Sequence, residues 1–239
     1  MQEEKPRFRH ELKYLINRGD QALLRQRLAA VMGPDPHAVQ GIYKIRSLYF
    51  DDYWQSAYAE KRMGSTGRRK YRIRIYNDSD RLIRLECKRK EEQVVSKRSA
   101  SLSREECDRI RAGEYAFLLR REETLCREFY YQLHSRLLRP RVIVDYEREP
   151  YVWEAGDVRV TFDTDVRACS GWGELFDPRL PMTYVLEPGK RVLEVKFTEF
   201  LPGVIRRLLP GRAQELAAVS KYALCCEATE HLYAVSINY

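Results

Sequence analysis

The chain has 239 residues, 44% of them hydrophobic, which is enough to bury a core and fits one large domain or two small ones, and we take one domain. Its 43 Lys and Arg against 35 Asp and Glu leave a formal charge of +8, which favours an anionic partner such as nucleic acid, a phosphorylated small molecule or an acidic membrane surface. No run of about 18 apolar residues occurs and the polar opening MQEEKPRFRH leads into no apolar segment, so the sequence predicts a cytoplasmic protein with neither signal peptide nor membrane span.

In chain order, RHELKYLI alternates Glu11 and Lys13 against Leu12, Tyr14 and Ile16, the period of a strand. NRGDQALLRQRLAAVM reads as a helix capped by Asp20, with Leu23, Leu24, Leu28 and Val31 on one stripe, broken by GPDPH. YKIRSLYFDD is a second strand, and YWQSAYAEKRMGSTGRRK a short helix or extended piece ending in a turn at Gly64 and Gly67. KYRIRIYNDSDRLIRLECKRK then reads as a hairpin about NDSD: Tyr71, Ile73, Ile75, Ile83, Leu85 and Cys87 form its apolar face. Lys70, Arg72, Arg74, Arg84, Glu86 and Lys88 form its charged one.

Ser103 and Glu106 form a capping box that opens a largely helical region reaching about Leu138, with a break near Gly113. PRVIVDYEREPYVW and DVRVTFDTDV are strands about a turn at Glu154 to Gly156, and Arg148 and Arg159 project from them. After an irregular stretch from Ala168 to Pro188, RVLEVKF is a strand with Glu194 and Lys196 on one face, and a helix over Gly211 to Leu232 closes the chain. No internal repeat, low-complexity segment or long linker divides it, so residues 1–239 read as a single domain. The six cysteines include no C-x-x-C pair and the four histidines are scattered, which argues against zinc and for reduced structural thiols.

A charged strand face is ordinarily the solvated side of a half-buried sheet. Here it recurs on strand after strand, while the helices need the apolar faces for their own burial. The expectation is therefore an α+β fold: a closed antiparallel β-barrel of about eight strands, helices packed outside, with a cationic interior able to hold a ligand. Such a lining repels itself unless water or a polyanion fills it, and a chain of phosphates suits Arg forks and Lys ammonium groups. Glu11, Glu86 and Glu194 lie among these cations either as salt-bridge partners or as ligands of a divalent metal that bridges phosphates.

The segments ELKY, LYFD, RRKYRIRIY, LECKRK, VVSKR, VDYEREPY, VRVTFDTDV, LEVKF and SKY together resemble the catalytic domain of the vacuolar transporter chaperone (VTC) polyphosphate polymerases, a branch of the triphosphate tunnel metalloenzymes. The chain is similar to the compact bacterial form, without the inositol-phosphate-sensing domain and membrane helices of eukaryotic members. The resemblance implies a polymerase that transfers the γ-phosphate of ATP to a growing inorganic polyphosphate chain, using Mn²⁺ or Mg²⁺, and it leaves room for a membrane-protein partner.

By the same resemblance Lys13, Arg72, Arg74, Lys88, Lys97, Arg148, Arg159 and Lys221 are tunnel cations and Glu194 is the metal ligand. Lys61 stands where eukaryotic members have an arginine, and Ala218 where they have a second lysine. We place Arg72, Arg74, Lys88, Arg148 and Arg159 in catalysis, Lys13, Lys61, Lys97, Lys196 and Lys221 in substrate binding, and Glu194, Glu86 and Glu11 at the metal. The alternatives are a tripolyphosphatase or nucleoside triphosphatase on the same fold, or a module that binds polyphosphate or nucleic acid. Against nucleic acid, Tyr71 and Tyr76 fall on opposite faces of their strand, and single-strand recognition needs aromatics together on the binding face. GSTGRRK lacks the spacing of a P-loop.

Overall fold

The structure, a computed structural model, describes residues 10–36, 38, 41–65, 67–91, 94–210 and 219–232. Eight strands form its main antiparallel path: β1 (His10–Ile16), β3 (Tyr43–Asp51), β4 (Arg68–Tyr76), β5 (Ser79–Glu91), β6 (Val94–Leu102), β7 (Arg139–Trp153), β8 (Val158–Ser170) and β10 (Arg191–Phe197). They hydrogen-bond in the order β1-β10-β8-β7-β3-β4-β5-β6, and two-residue strands β2 (Gly33–Pro34) and β9 (Thr183–Tyr184) pair with β7 and β8. Helices α1 (Arg18–Ala29), α2 (Ser56–Met63), α3 (Arg104–Ala112), α4 (Thr124–Ser135), α5 (Gly203–Leu208) and α6 (Lys221–Ala228), with a 3-10 turn at Ala116–Arg120, complete the fold.

Side-chain period places the strands. In β4 and β5 the residues Tyr71, Ile73, Ile75, Ile83, Leu85 and Cys87 are buried with Ile110 of α3 and Phe129 of α4 in one core. Leu24 and Leu28 of α1 and Ile205 of α5 pack on Phe162, Leu193 and Val195 in a second core. The hairpin turn uses Asn77 and Asp78 at φ 51 and 53, the left-handed conformation that a two-residue connection requires.

The expected closed barrel is not formed. β1 and β6 are the two ends of the strand order and do not pair, so the sheet is open. β1 meets the far side of the sheet through side chains instead: Lys88 Nζ of β5 lies 3.5 Å from Glu11 Oε2 of β1. Glu11 and Lys13 of β1 and Lys88 and Lys90 of β5 line the cavity between them, and backbones held apart by such side chains do not reach the spacing of about 4.8 Å that a ladder needs. Nor do all helices lie outside. Tyr222, Cys225 and Cys226 of α6 pack with Val142, Val144, Val166 and Ala168, the apolar continuation of the strand faces that carry Tyr146 and Arg148, so α6 sits on the charged side of the sheet.

Local corrections have equally local causes. Asn17, not Asp20, caps α1: its Oδ1 accepts from the Asp20 amide at 2.9 Å, while Asp20 reaches back to the Asn17 amide at 3.1 Å. Leu23, expected on the buried stripe, is 48% exposed. The Ser103–Glu106 capping box is present as expected. The stretch ahead of it, which its pattern assigns to no strand, forms β6, and β8 runs on to Ser170. Of the closing helix, residues 211–218, and with them Ala218, lie outside the described residues. All six cysteines are free.

Candidate functional site

Alternation along each strand aims one set of polar side chains at a common space. On β3, Ser47 and Tyr49 lie opposite Arg74 and Arg72 of β4. Arg72 accordingly donates to the Tyr49 hydroxyl and to Glu86 Oε2, both at 2.7 Å. Arg74 donates to Ser47 Oγ at 3.1 Å and to the Tyr146 hydroxyl at 3.4 Å. On the next strands, Arg148 of β7 holds Asp163 of β8 through two 2.7 Å bonds. Lys221, the first residue of α6, places its ammonium 2.5 Å from the same carboxylate. Glu194 of β10 meets Lys196 and lies 3.8 Å from both Arg148 and Lys221. On β1, Glu11 reaches Lys13 at 3.2 Å and both Lys88 and Lys196 at 3.5 Å.

These groups surround a cavity of about 580 Å³ whose described lining includes eleven lysines and arginines but two carboxylates, Glu11 and Glu194. The excess of positive charge is visible in the ionisation of its members. Burial, then the repulsion of Arg68, pushes the Lys70 ammonium down to about 7, and burial with Lys13 and Lys196 pushes Lys88 to about 8. Burial would raise Glu194, but Lys196, Lys13, Lys221 and Arg148 hold it well below the usual carboxylate range. Burial likewise favours protonation of Glu86, and Arg72, Arg74 and Lys97 overcome it, holding the carboxyl well below its ordinary range. Glu11 is held low in the same way, by Lys13, Lys88 and Lys196 against burial and the charge of Glu194. Lysines lowered beside carboxylates held low are what a local excess of positive charge produces.

Of the residues singled out in the sequence, Lys13, Lys61, Arg72, Arg74, Lys88, Arg148, Lys196, Lys221, Glu11 and Glu194 line this one cavity. Three do not. Glu86 is buried beneath Arg72, with Lys97 at 3.0 Å on its other oxygen, and Lys97 is itself 56% exposed. Arg159 shares the Asp163 face of β8 but is turned to Asp35 and, at 2.8 Å, to the Tyr43 hydroxyl. Sequence reading missed Asp163, Tyr49, Tyr146, Tyr222 and Arg68 at the site. The signal for Asp163 was present, four residues beyond Arg159 on an alternating strand.

Among the described residues no three His, Cys, Asp or Glu converge as a metal cage. Glu11 and Glu194, both in contact with Lys196, still offer carboxylate oxygens within the cavity. That donor set fits Mg²⁺ or Mn²⁺, which are commonly held by one or two carboxylates with substrate phosphates and water completing the shell.

The open antiparallel sheet thus presents a face rich in cations to the cavity, an arrangement suited to an anionic ligand. The VTC domain model matches residues 8–230, and the chain belongs to that family. No curated protein matches it. Among solved structures, HpAC1 from Hippeastrum, described as a candidate adenylyl cyclase with a dominant triphosphatase activity, is similar at 15% identity over 93% of this chain and 96% of that one, with a TM-score of 0.56, a likeness of fold. A conserved hypothetical protein from Pyrococcus furiosus is similar at 11% identity over 90% and 99% of the two chains, TM-score 0.46.

Proposed function

We propose that this chain is a metal-dependent polyphosphate polymerase that transfers the γ-phosphate of ATP to the end of an inorganic polyphosphate chain. The observation that carries the reading is the state of the cavity's carboxylates. Glu11 and Glu194 are each tied to lysines and held below their ordinary pKa, so both are poor bases for activating water. A phosphate acceptor is already anionic and has little need of a base. What the transfer needs is alignment and charge neutralisation, which the cations supply.

Arg72 and Arg74, adjacent on one face of β4 and braced by Glu86, Tyr49 and Ser47, present guanidinium groups to the transferred phosphoryl group. Arg148 and Lys221, fixed by Asp163, and Lys13, Lys88 and Lys196 around Glu11, hold the flanking phosphates of donor and acceptor. Glu194 with Glu11 would hold Mn²⁺ or Mg²⁺, which when bound supplies Lewis-acid neutralisation of the phosphate oxygens. A hydrolase is the second reading, favoured by the triphosphatase activity described for the Hippeastrum protein of similar fold. Incubation with ATP and Mn²⁺, followed by resolution of free phosphate, ADP and polymeric phosphate, separates them. Long chains with stoichiometric ADP support the polymerase, and free phosphate alone supports the hydrolase.

A further inference from the structure

Asp51, the last residue of β3, is 1% exposed and lies outside the cavity lining, yet four donors converge on it. Its Oδ1 accepts from the amides of Asp52 at 2.9 Å and Ala57 at 3.0 Å, and its Oδ2 from the Tyr58 amide at 3.2 Å and the Tyr222 hydroxyl at 2.5 Å. Ala57 and Tyr58 belong to the first turn of α2, whose last turn carries Lys61, and Tyr222 follows Lys221 in the first turn of α6. One buried carboxylate therefore joins the two helices that bring lysines to the cavity.

Capping explains only half of this arrangement. Gln55, the residue at the N-cap of α2, makes no side-chain cap bond, so Asp51 takes up the amides of Ala57 and Tyr58. The Tyr222 bond spans 171 residues and adds nothing to that cap. Nor is it needed to keep α6 on the sheet. Arg141 already grips the far end of that helix, donating to the Cys226 carbonyl at 3.1 Å and to Thr229 Oγ1 at 3.2 Å. The Tyr222 bond fixes instead the turn that carries Lys221, and it seats the Tyr222 ring under the Lys70 ammonium, 4.3 Å from the ring centre.

We infer that Asp51 is a positioning residue for the phosphate site: through the Tyr222 hydroxyl it sets the first turn of α6 so that Lys221 reaches the bound anion beside Asp163. The inference rests on the phosphate reading of the cavity.

The test is a double-mutant cycle read by calorimetric binding of inorganic tripolyphosphate, with melting temperature measured alongside. Tyr222→Phe keeps the ring beneath Lys70 and deletes the bond to Asp51; it should weaken binding about tenfold, as expected when a hydrogen bond to a charged group is lost. In a Lys221→Met background the same change should cost less than about twofold, because its effect passes through Lys221. Full additivity, or unchanged affinity in Tyr222→Phe alone, overturns the inference while leaving the phosphate site in place. Failure of the wild-type protein to bind tripolyphosphate would remove the phosphate site and the inference together.

Discussion

Lys88 Nζ on β5 stands 3.5 Å from Glu11 Oε2 on β1, so the two flanks of an open sheet meet through a side-chain ion pair and not through a ladder. Glu11 serves three lysines at once, since Lys13 and Lys196 also reach it, and it thereby lowers the self-repulsion of the empty cavity. Yet it repels any phosphate placed between them. Glu11→Gln should strengthen metal-free tripolyphosphate binding by roughly fivefold, equivalent to about 1 kcal/mol of relieved repulsion, and should lower the melting temperature of the ligand-free protein. Calorimetry without metal and a thermal melt check both, and unchanged binding in the variant would place Glu11 outside the anion's reach.

The paired arginines of β4 should separate in stability while agreeing in function. Arg72 satisfies Glu86, which is 2% exposed, whereas the hydrogen-bond partners of Arg74 are the neutral hydroxyls of Ser47 and Tyr146. Arg72→Ala leaves a buried carboxylate short of a partner and should cost about 1–3 kcal/mol of stability, with Arg74→Ala costing less. Each should lose most turnover, since each removes a fork from the transferred phosphoryl group. Urea denaturation and steady-state rates test the pair; equal stability losses would show that Lys97 and Arg74 suffice for Glu86.

Protons should accompany the anion into the cavity. The Lys70 ammonium is lowered from 10.5 to about 7, and burial comes first among the causes. Lys88, lowered to about 8, has a side chain 39% exposed, so solvent moderates its share. Below pH 7 Lys70 is charged in folded and unfolded chains alike, and the ligand-free protein carries the full penalty of that charge. Between pH 7 and 10.5 the folded chain gives up the proton first, so stability rises with pH relative to Lys70→Met. A bound polyanion favours the ammonium form and reverses the trend: affinity should be highest below pH 7 and fall towards pH 9, with proton uptake on binding. Calorimetry at pH 8 in two buffers of different ionisation enthalpy counts those protons, and identical heats would take Lys70 out of the site.

How much of this site was legible follows from what period-two alternation encodes. It assigned Lys13, Arg72, Arg74, Lys88, Arg148, Glu194 and Lys196 to polar faces correctly, because the apolar residues between them had to be buried. It could not show whether the sheet closes. Closure depends on how β1 meets the far side of the sheet, at a Lys88–Glu11 contact between residues 77 apart, and no local pattern records that distance. Nor could it show that α6 lies on the charged side. That depends on Val142 and Val144, which form an apolar platform beside the cations. Lys97 was placed by resemblance alone and Arg159 by alternation as well, and their side chains serve Glu86 and Asp35 outside the cavity.

The last prediction concerns what Glu194 is for. It is 5% exposed and paired with Lys196, so a buried salt bridge and a metal ligand are both chemically reasonable roles. Glu194→Gln distinguishes them because it keeps the shape and removes the charge. As a salt-bridge partner alone, its loss would leave Lys196, Lys221 and Arg148 less compensated, lowering stability and raising affinity for phosphates, while the dependence on metal stayed as it was. As a ligand, its loss should raise the Mn²⁺ concentration needed for half-maximal turnover by at least about tenfold, with tripolyphosphate still bound in the absence of metal. Titrating both turnover and tripolyphosphate binding against Mn²⁺ in the two proteins resolves the matter. Superimposable metal curves would reduce Glu194 to a counter-charge, and the cavity would then have to hold its divalent ion through Glu11 and the phosphates themselves.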